Sequence, residues 1–309
     1  MCVCVICGVK VHRTAISIMR SPTSVLSRKQ ALVTSALVAT VGVPLPALCD
    51  KPSIKTLLDA QDSKQLLKPQ NQGPFVPAET AYPTWFEGEW RAATTFAGYE
   101  LPAKDIISRE ALFAEADVPG FKKCSIALFP DVGKEGVRFS MRWFKDSKGV
   151  VREDRASNFR SVTRGGLGYD AIERVDYMED PNNPYGLGSN TGNPNRIKLV
   201  FARGLTTNAE RIELFLNARE SEVPDGRPDL FYTEEAIRQV TFSAGQTRQI
   251  SGEYAHFISY RKVDNDHISA VVVTACYADP LQCERFFVKL GGNRPLITFA
   301  HGMQLTRVA

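Results

Sequence analysis

From about residue 88 onward the chain is dominated by alternation of apolar and polar positions. In VRFSMRWF, Val137, Phe139, Met141 and Trp143 alternate with Arg138, Ser140 and Arg142, the period of two that puts one face of a strand in a core and the other in water. The same alternation runs through RIKLVF (Ile197, Leu199, Phe201), RIELFL (Ile212, Leu214, Leu216) and RQISGEYAHFISYRKV, where Ile250, Tyr254, Ile258 and Tyr260 share a parity. Segments 88–97, 121–129, 150–163, 169–178, 232–242, 267–277, 284–290 and 295–308 are further strand candidates, and the pattern predicts about ten or eleven strands in all. Turn-forming residues separate them at 146–149, 164–166 and 263–266. The Asn-, Pro- and Gly-rich stretch 179–195 reads as a long surface loop. Helical spacing is confined to 105–117, with Ile106, Ile107 and Leu112, and to a short segment around Ile54, Leu57 and Leu58. Short connections imply antiparallel neighbours, and closure removes the edges that would otherwise aggregate. The expected fold class is therefore all-β: a single antiparallel up-and-down β-barrel of about ten strands.

The N-terminus follows other rules. Residues 1–49 contain no Asp or Glu, although the chain has 34 acidic residues, and carry Lys10, Arg13, Arg20, Arg28 and Lys29. That composition is the one of an organelle transit peptide. Its second half holds the apolar run Ala31 to Val43 behind Arg28 and Lys29, then PLPALCD. The run is too short for a membrane span, which needs about 20 apolar residues, and has the form of a secretory signal core. The two signals in series resemble the presequences that carry proteins through the plastid stroma into the thylakoid lumen; one long secretory leader is the alternative. The expected organisation is a targeting peptide at 1–49, a linker with a short helix at 50–81, and the barrel domain at 82–309, with no transmembrane span in the mature protein.

Removing the leader changes the charge. The 38 Lys and Arg fall to 33 against the same 34 acids, a mature net charge of about −1, so nucleic acid is not an expected partner. Arg152, Arg155, Arg160 and Arg164 cluster, but Glu153 and Asp154 interleave with them, which favours a solvated strand face over an anion site. Four of the seven cysteines leave with the leader. Cys276 and Cys283 flank a Pro-containing loop and in an oxidising compartment form a disulfide or, alternatively, remain two buried thiols.

The segment YPTWFEGEW, residues 82–90, carries the clearest motif. Gly88-Glu89-Trp90 on the first strand, with Arg307 near the end of the last, resembles the pattern of lipocalins and their calycin relatives. That resemblance implies that Arg307 stacks on the Trp90 indole and closes one end of the barrel, a cation–π contact of roughly 0.5–2 kcal/mol. From YPTWFEGEW through VREDRASNFRSV to QLTRV, the chain is also similar to an uncharacterised family of plastid and cyanobacterial proteins bearing a domain of unknown function, which carries no assigned catalytic residues.

Chemistry-bearing motifs are sparse. His256, His267 and His301 lack ligand spacing such as HxH or HExxH, no CxxC pair lies outside the leader, and no GxSxG elbow occurs. No metal site is expected and no cofactor is identified. A barrel of this size holds an apolar ligand with few polar anchors, and Tyr254, His256, Tyr260 and Arg142 are the candidates, each alternatively a hydrogen-bonded core residue. The expected function is a non-enzymatic barrel of the thylakoid lumen that binds an apolar small molecule (pigment, lipid or tetrapyrrole) or serves as an auxiliary factor on a photosynthetic membrane complex. The alternatives are a lipocalin-like enzyme acting on an apolar substrate, with Tyr254, Tyr260 or His256 as its acid–base group, and a structural interaction module with a side-chain-filled barrel.

Overall fold

The computed structural model describes residues 53–71, 77–114, 118–120, 126, 135–178, 195–206, 209–243 and 249–308. The leader 1–49, most of the expected strand 121–129 and the loop 179–194 lie outside them. In chain order the elements are α1 (Ile54–Asp59), β1 (Gly88–Glu100), α2 (Arg109–Ala114), β2 (Glu135–Lys145), β3 (Val151–Glu153), α3 (Arg155–Leu167), β4 (Ile172–Tyr177), β5 (Arg196–Phe201), β6 (Arg211–Glu222), β7 (Leu230–Phe242), β8 (Gln249–Lys262), β9 (His267–Tyr277), α4 (Glu284–Leu290) and β10 (Pro295–Arg307).

The ten strands form one sheet in the order β3-β2-β1-β10-β9-β8-β7-β6-β5-β4, antiparallel throughout and curled into a half-barrel. Neighbours in the sheet are neighbours in sequence, with one exception: β10 returns to pair with β1, setting Trp90 opposite Arg307. The two edges are β3 and β4, and α3 joins them.

That helix corrects the expected strand 150–163. Only Val151–Glu153 is extended; Asp154 then caps α3, its carboxylate accepting from the Ser157 N–H at 3.2 Å. The expected turn at 164–166 is the last turn of the same helix, which ends at Gly168 in the left-handed region (φ 84°). The physical reason is tertiary, because β3 covers β2 only from Trp143 to Lys145. Along the rest of the β2 edge, α3 takes a strand's place: the Ser140 N–H donates to Ser161 Oγ and the Arg142 N–H to Asn158 Oδ1, both at 2.7 Å. A side chain at Gly165 would put its Cβ 2.4 Å from the Arg138 carbonyl oxygen, so only glycine permits this approach. Residues 284–290 are likewise helical rather than extended, burying Phe286 and Leu290 one turn apart. Helix α2 falls within the expected segment 105–117.

The concave side holds the main core, with Trp90, Trp143, Phe86, Tyr254 and Met303 all fully buried. A second apolar layer lies on the convex side, where Ile54, Leu57 and Leu66 cover Ala218, Ala236, Ala255, Phe257 and Tyr232. The segment expected to be a linker is thus packed in part against the sheet: the Tyr277 hydroxyl donates to the Leu66 carbonyl at 3.0 Å, and the Ile54 N–H to Glu222 at 3.0 Å. Small residues at outward positions of β6 to β9 let it lie close.

Candidate functional site

One end of the barrel is closed by the segment before β1. A 3-10 turn at Thr84–Phe86 drops the Phe86 ring into a cluster with Tyr82, Trp143, Phe231 and Tyr260. Trp90 Nε1 donates to the Phe86 carbonyl at 2.7 Å, and the Arg307 guanidinium lies 4.2 Å from the Trp90 ring centroid. The same guanidinium donates to the carbonyls of Glu87 (2.6 Å), Trp85 (3.1 Å) and Asn265 (3.0 Å). It therefore ties the turn, the first strand and the β8–β9 loop to the last strand. Gly88 has φ 120°, and a Cβ there would stand 2.7 Å from Arg307 Nη1, so both its backbone and its lack of a side chain are required.

Further inside lies a buried ionic quartet. Arg155, the first residue of α3, pairs with Glu235 on β7 through two hydrogen bonds and with Glu153 on β3 at 3.3 Å. Arg219 on β6 approaches the same Glu235 carboxylate at 3.0 Å. Tyr82 and Asn158 donate to Glu153 at 3.3 and 3.1 Å. Two positive and two negative groups share this volume, and burial opposes every charge in it. For Arg155 the carboxylates outweigh that penalty and raise its pKa well above the usual value. For Glu235 burial is again the largest influence, but Arg155 and Arg219 outweigh it and hold the carboxyl below its usual range. Arg219 is lowered by burial and by Arg155.

Three of the four anticipated ligand anchors do face inward. His256 stands opposite Glu235 in strand register, its Nδ1 2.9 Å from Thr274 Oγ1, and burial pushes its pKa down to about 3. The Tyr254 hydroxyl donates to Gln239 at 2.9 Å, its ring 5.2 Å from that of His256. Tyr260 belongs instead to the aromatic cluster at the closed end, and burial raises its pKa, like that of Tyr82, well above the usual value.

Arg142 is a correction. The alternation that buries Met141 and Trp143 turns it outward, its side chain 49% exposed and paired with Asp154. Of the two cysteines of the expected disulfide, Cys276 lies in the inward row of β9 opposite Tyr254 and Cys283 at the N-cap position of α4, both buried. His267 pairs with Asp264 at the surface, and His301 is buried beside Phe96.

Sequence reasoning missed the quartet. Glu235 was legible as a charge on an inward parity, opposite His256. Arg219 was not, because a bulge between Leu216 and Ala218 reverses the parity of β6 midway. Arg155 was hidden by reading its segment as strand.

Outside the barrel wall, a groove of about 620 Å³ runs between the α1 segment and the outer faces of β1, β8, β9 and β10. Leu57, Leu66, Ala97, Val271 and Val273 line it, with Asp62, Glu100 and Arg261 among its polar groups. Val271 and Tyr99 are 51% and 43% exposed there. Tyr254, His256 and Tyr260 do not line it. Among the described residues no group of three or more His, Cys, Asp or Glu is placed to hold a metal ion, and no helix is long and apolar enough to cross a membrane.

Comparison with curated proteins and with solved structures finds no match. Residues 74–309 match the family described as Domain of unknown function (DUF6816), and the chain, with its ten-stranded curled sheet sealed by Trp90 and Arg307, belongs to that family.

Proposed function

We propose that this protein is a non-enzymatic binding barrel whose ligand, an apolar small molecule, sits in the outer groove beneath α1 rather than in the lumen. The observation that carries this reading is the commitment of the inward polar groups to one another: Tyr254 to Gln239, His256 to Thr274, Arg155 to Glu235. The outer groove instead presents exposed apolar side chains with polar residues among them, in a volume of about 620 Å³, inside the roughly 300–1,000 Å³ usual for small-molecule sites. Protonation argues in the same direction. An acid–base catalyst works best with a pKa near the operating pH, whereas His256 is held near 3 and Tyr260 well above 10. Docking on a photosynthetic membrane complex is the other role this reading accommodates.

Titration of the full chain with Nile red, a neutral apolar dye, is expected to give saturable fluorescence. Val271→Asp weakens it about tenfold or more, the scale of placing a charge in an apolar contact, whereas Val271→Thr, which keeps a β-branched residue on the strand, weakens it less. Tyr254→Phe leaves it as it was. Loss of dye binding in Tyr254→Phe, with none in Val271→Asp, would move the site into the lumen.

Residence in the thylakoid lumen belongs to the same proposal, supported by the acid-free segment 1–49 and its apolar run. N-terminal sequencing of the protein from isolated plastids is expected to read from near residues 48–50. A start between residues 20 and 30 would place it in the stroma or on a membrane anchor instead.

A further inference from the structure

The arginines clustered between residues 152 and 164 reach different destinations. Arg152 pairs with Asp146 at 3.2 Å, Arg155 enters the buried quartet, and Arg160 pairs with Asp170 at 2.9 Å. Arg164, in the last turn of α3, faces a second outer groove of about 870 Å³, floored by β10, β1 and β2 and flanked by α3. Arg91 of β1 and Arg138 of β2 line the same groove.

Strand register explains the convergence. Arg91 stands opposite Ser140, and Arg138 opposite Ala93, so the two arginines are diagonal neighbours on one outward face, about 7–8 Å apart at the backbone and within reach of one another's long side chains. The contact of Gly165 with the Arg138 carbonyl brings the adjacent Arg164 to the third side. Ser161 and Gln304 add polar groups between them. The Ser161 oxygen already accepts the Ser140 N–H, which leaves its own O–H to donate.

Two features set this groove apart from an ordinary charged surface. Among the described residues no carboxylate lines it. Several exposed arginines elsewhere have acidic partners, as in Arg142 with Asp154, Arg174 with Asp176 and Arg227 with Asp229, whereas among the described residues Arg91 and Arg138 form no ion pair and Arg164 acts only at longer range on Asp170, the direct partner of Arg160. Three guanidiniums converging on one concave site, with no carboxylate among its described lining residues, focus a positive field there, on a domain whose net charge is slightly negative.

We propose that this groove is an anion-binding site for a small molecule bearing a phosphate or diphosphate group. Guanidinium forks match phosphate oxygens in pairs, and the volume suits a small ligand. The concave, helix-flanked shape fits a free ligand better than a flat lipid surface. The site shares no lining residue with the groove beneath α1, so either assignment can fail without the other.

Calorimetric titration of the full chain with inorganic pyrophosphate tests it. Saturable one-to-one binding that weakens with added salt is expected. Arg138→Gln and Arg164→Gln each reduce the affinity about tenfold or more, the value of one charge-assisted hydrogen bond, while Arg227→Gln leaves it unchanged. All three side chains are exposed, so melting temperatures stay at the wild-type value. The proposal is overturned by an absence of saturable binding, by binding that the triple variant Arg91→Gln, Arg138→Gln, Arg164→Gln retains, or by arginine-dependent binding to phosphatidylglycerol vesicles that pyrophosphate does not displace.

Discussion

Glu235→Ala will destabilise the domain by about 3–5 kcal/mol, the cost of removing one partner from a buried ion pair. Arg219 would lose the carboxylate 3.0 Å from its Nε, and Arg155 would keep only Glu153. Urea unfolding of the variant measures the loss. A triple replacement, Glu235→Leu with Arg155→Met and Arg219→Leu, is expected to recover most of it, since an apolar set of similar volume has no charge to desolvate. A loss below about 1 kcal/mol in the single variant would mean that water reaches the quartet.

The same residues set the response to acid. Glu235 has a folded pKa below its ordinary value of 4.5, so its stabilisation is complete above that pH and disappears as the pH falls through the folded value. His256 acts earlier. Folded, it remains neutral down to about 3, whereas unfolded it takes a proton below about 6.5; the unfolded state therefore binds more protons across that interval. Both shifts make stability fall with falling pH, first through His256 and then through Glu235. His256→Gln is expected to flatten the part of the profile between about pH 6.5 and 4.5, measured as melting temperature against pH.

Trp90→Ala is the second large effect, also about 3–5 kcal/mol, as for emptying a fully packed aromatic site. The indole is completely buried, donates to the Phe86 carbonyl and carries the Arg307 guanidinium on its face. Removing it unseats the plug and deprives Arg307 of its ring, although the three carbonyl bonds to Arg307 remain. Trp90→Phe keeps a ring and loses the N–H donor, so its cost will be smaller. Chemical denaturation followed by circular dichroism distinguishes the two, and equal small losses in both would show that the closure does not hold this end of the barrel together.

The legible part of the molecule was the part governed by local periodicity. In β2, β5, β8 and β6 as far as Leu216 the inward rows follow directly from alternation, because within a regular strand a residue's side depends only on its parity. Trp90 and Arg307 were placed together through the resemblance of Gly88-Glu89-Trp90 and Arg307 to the calycin pattern, and the pairing of the first and last strands brings them into contact. Arg142 was misplaced against its own alternation. The apolar layer beneath α1 left only a faint trace, as alanines at outward positions of β6 to β9 where polar residues would be ordinary.

The sequence by itself determined the all-β antiparallel class and most of the inward rows, since these rest on a repeat of two, while its resemblance to the calycin pattern pointed to the residues that seal one end. Only the tertiary structure decided that VREDRASNFRSV turns into a helix after three extended residues. Its Asp154 cap is local, but the unsatisfied N–H groups of Ser140 and Arg142 that Ser161 and Asn158 accept belong to a strand far enough away to leave no pattern in the helix itself. The same holds for the ionic quartet and the arginine groove. Each joins residues from three or more elements, and the bulge in β6 and the glycine contact at Gly165 that align them are properties of packed backbones rather than of any one segment.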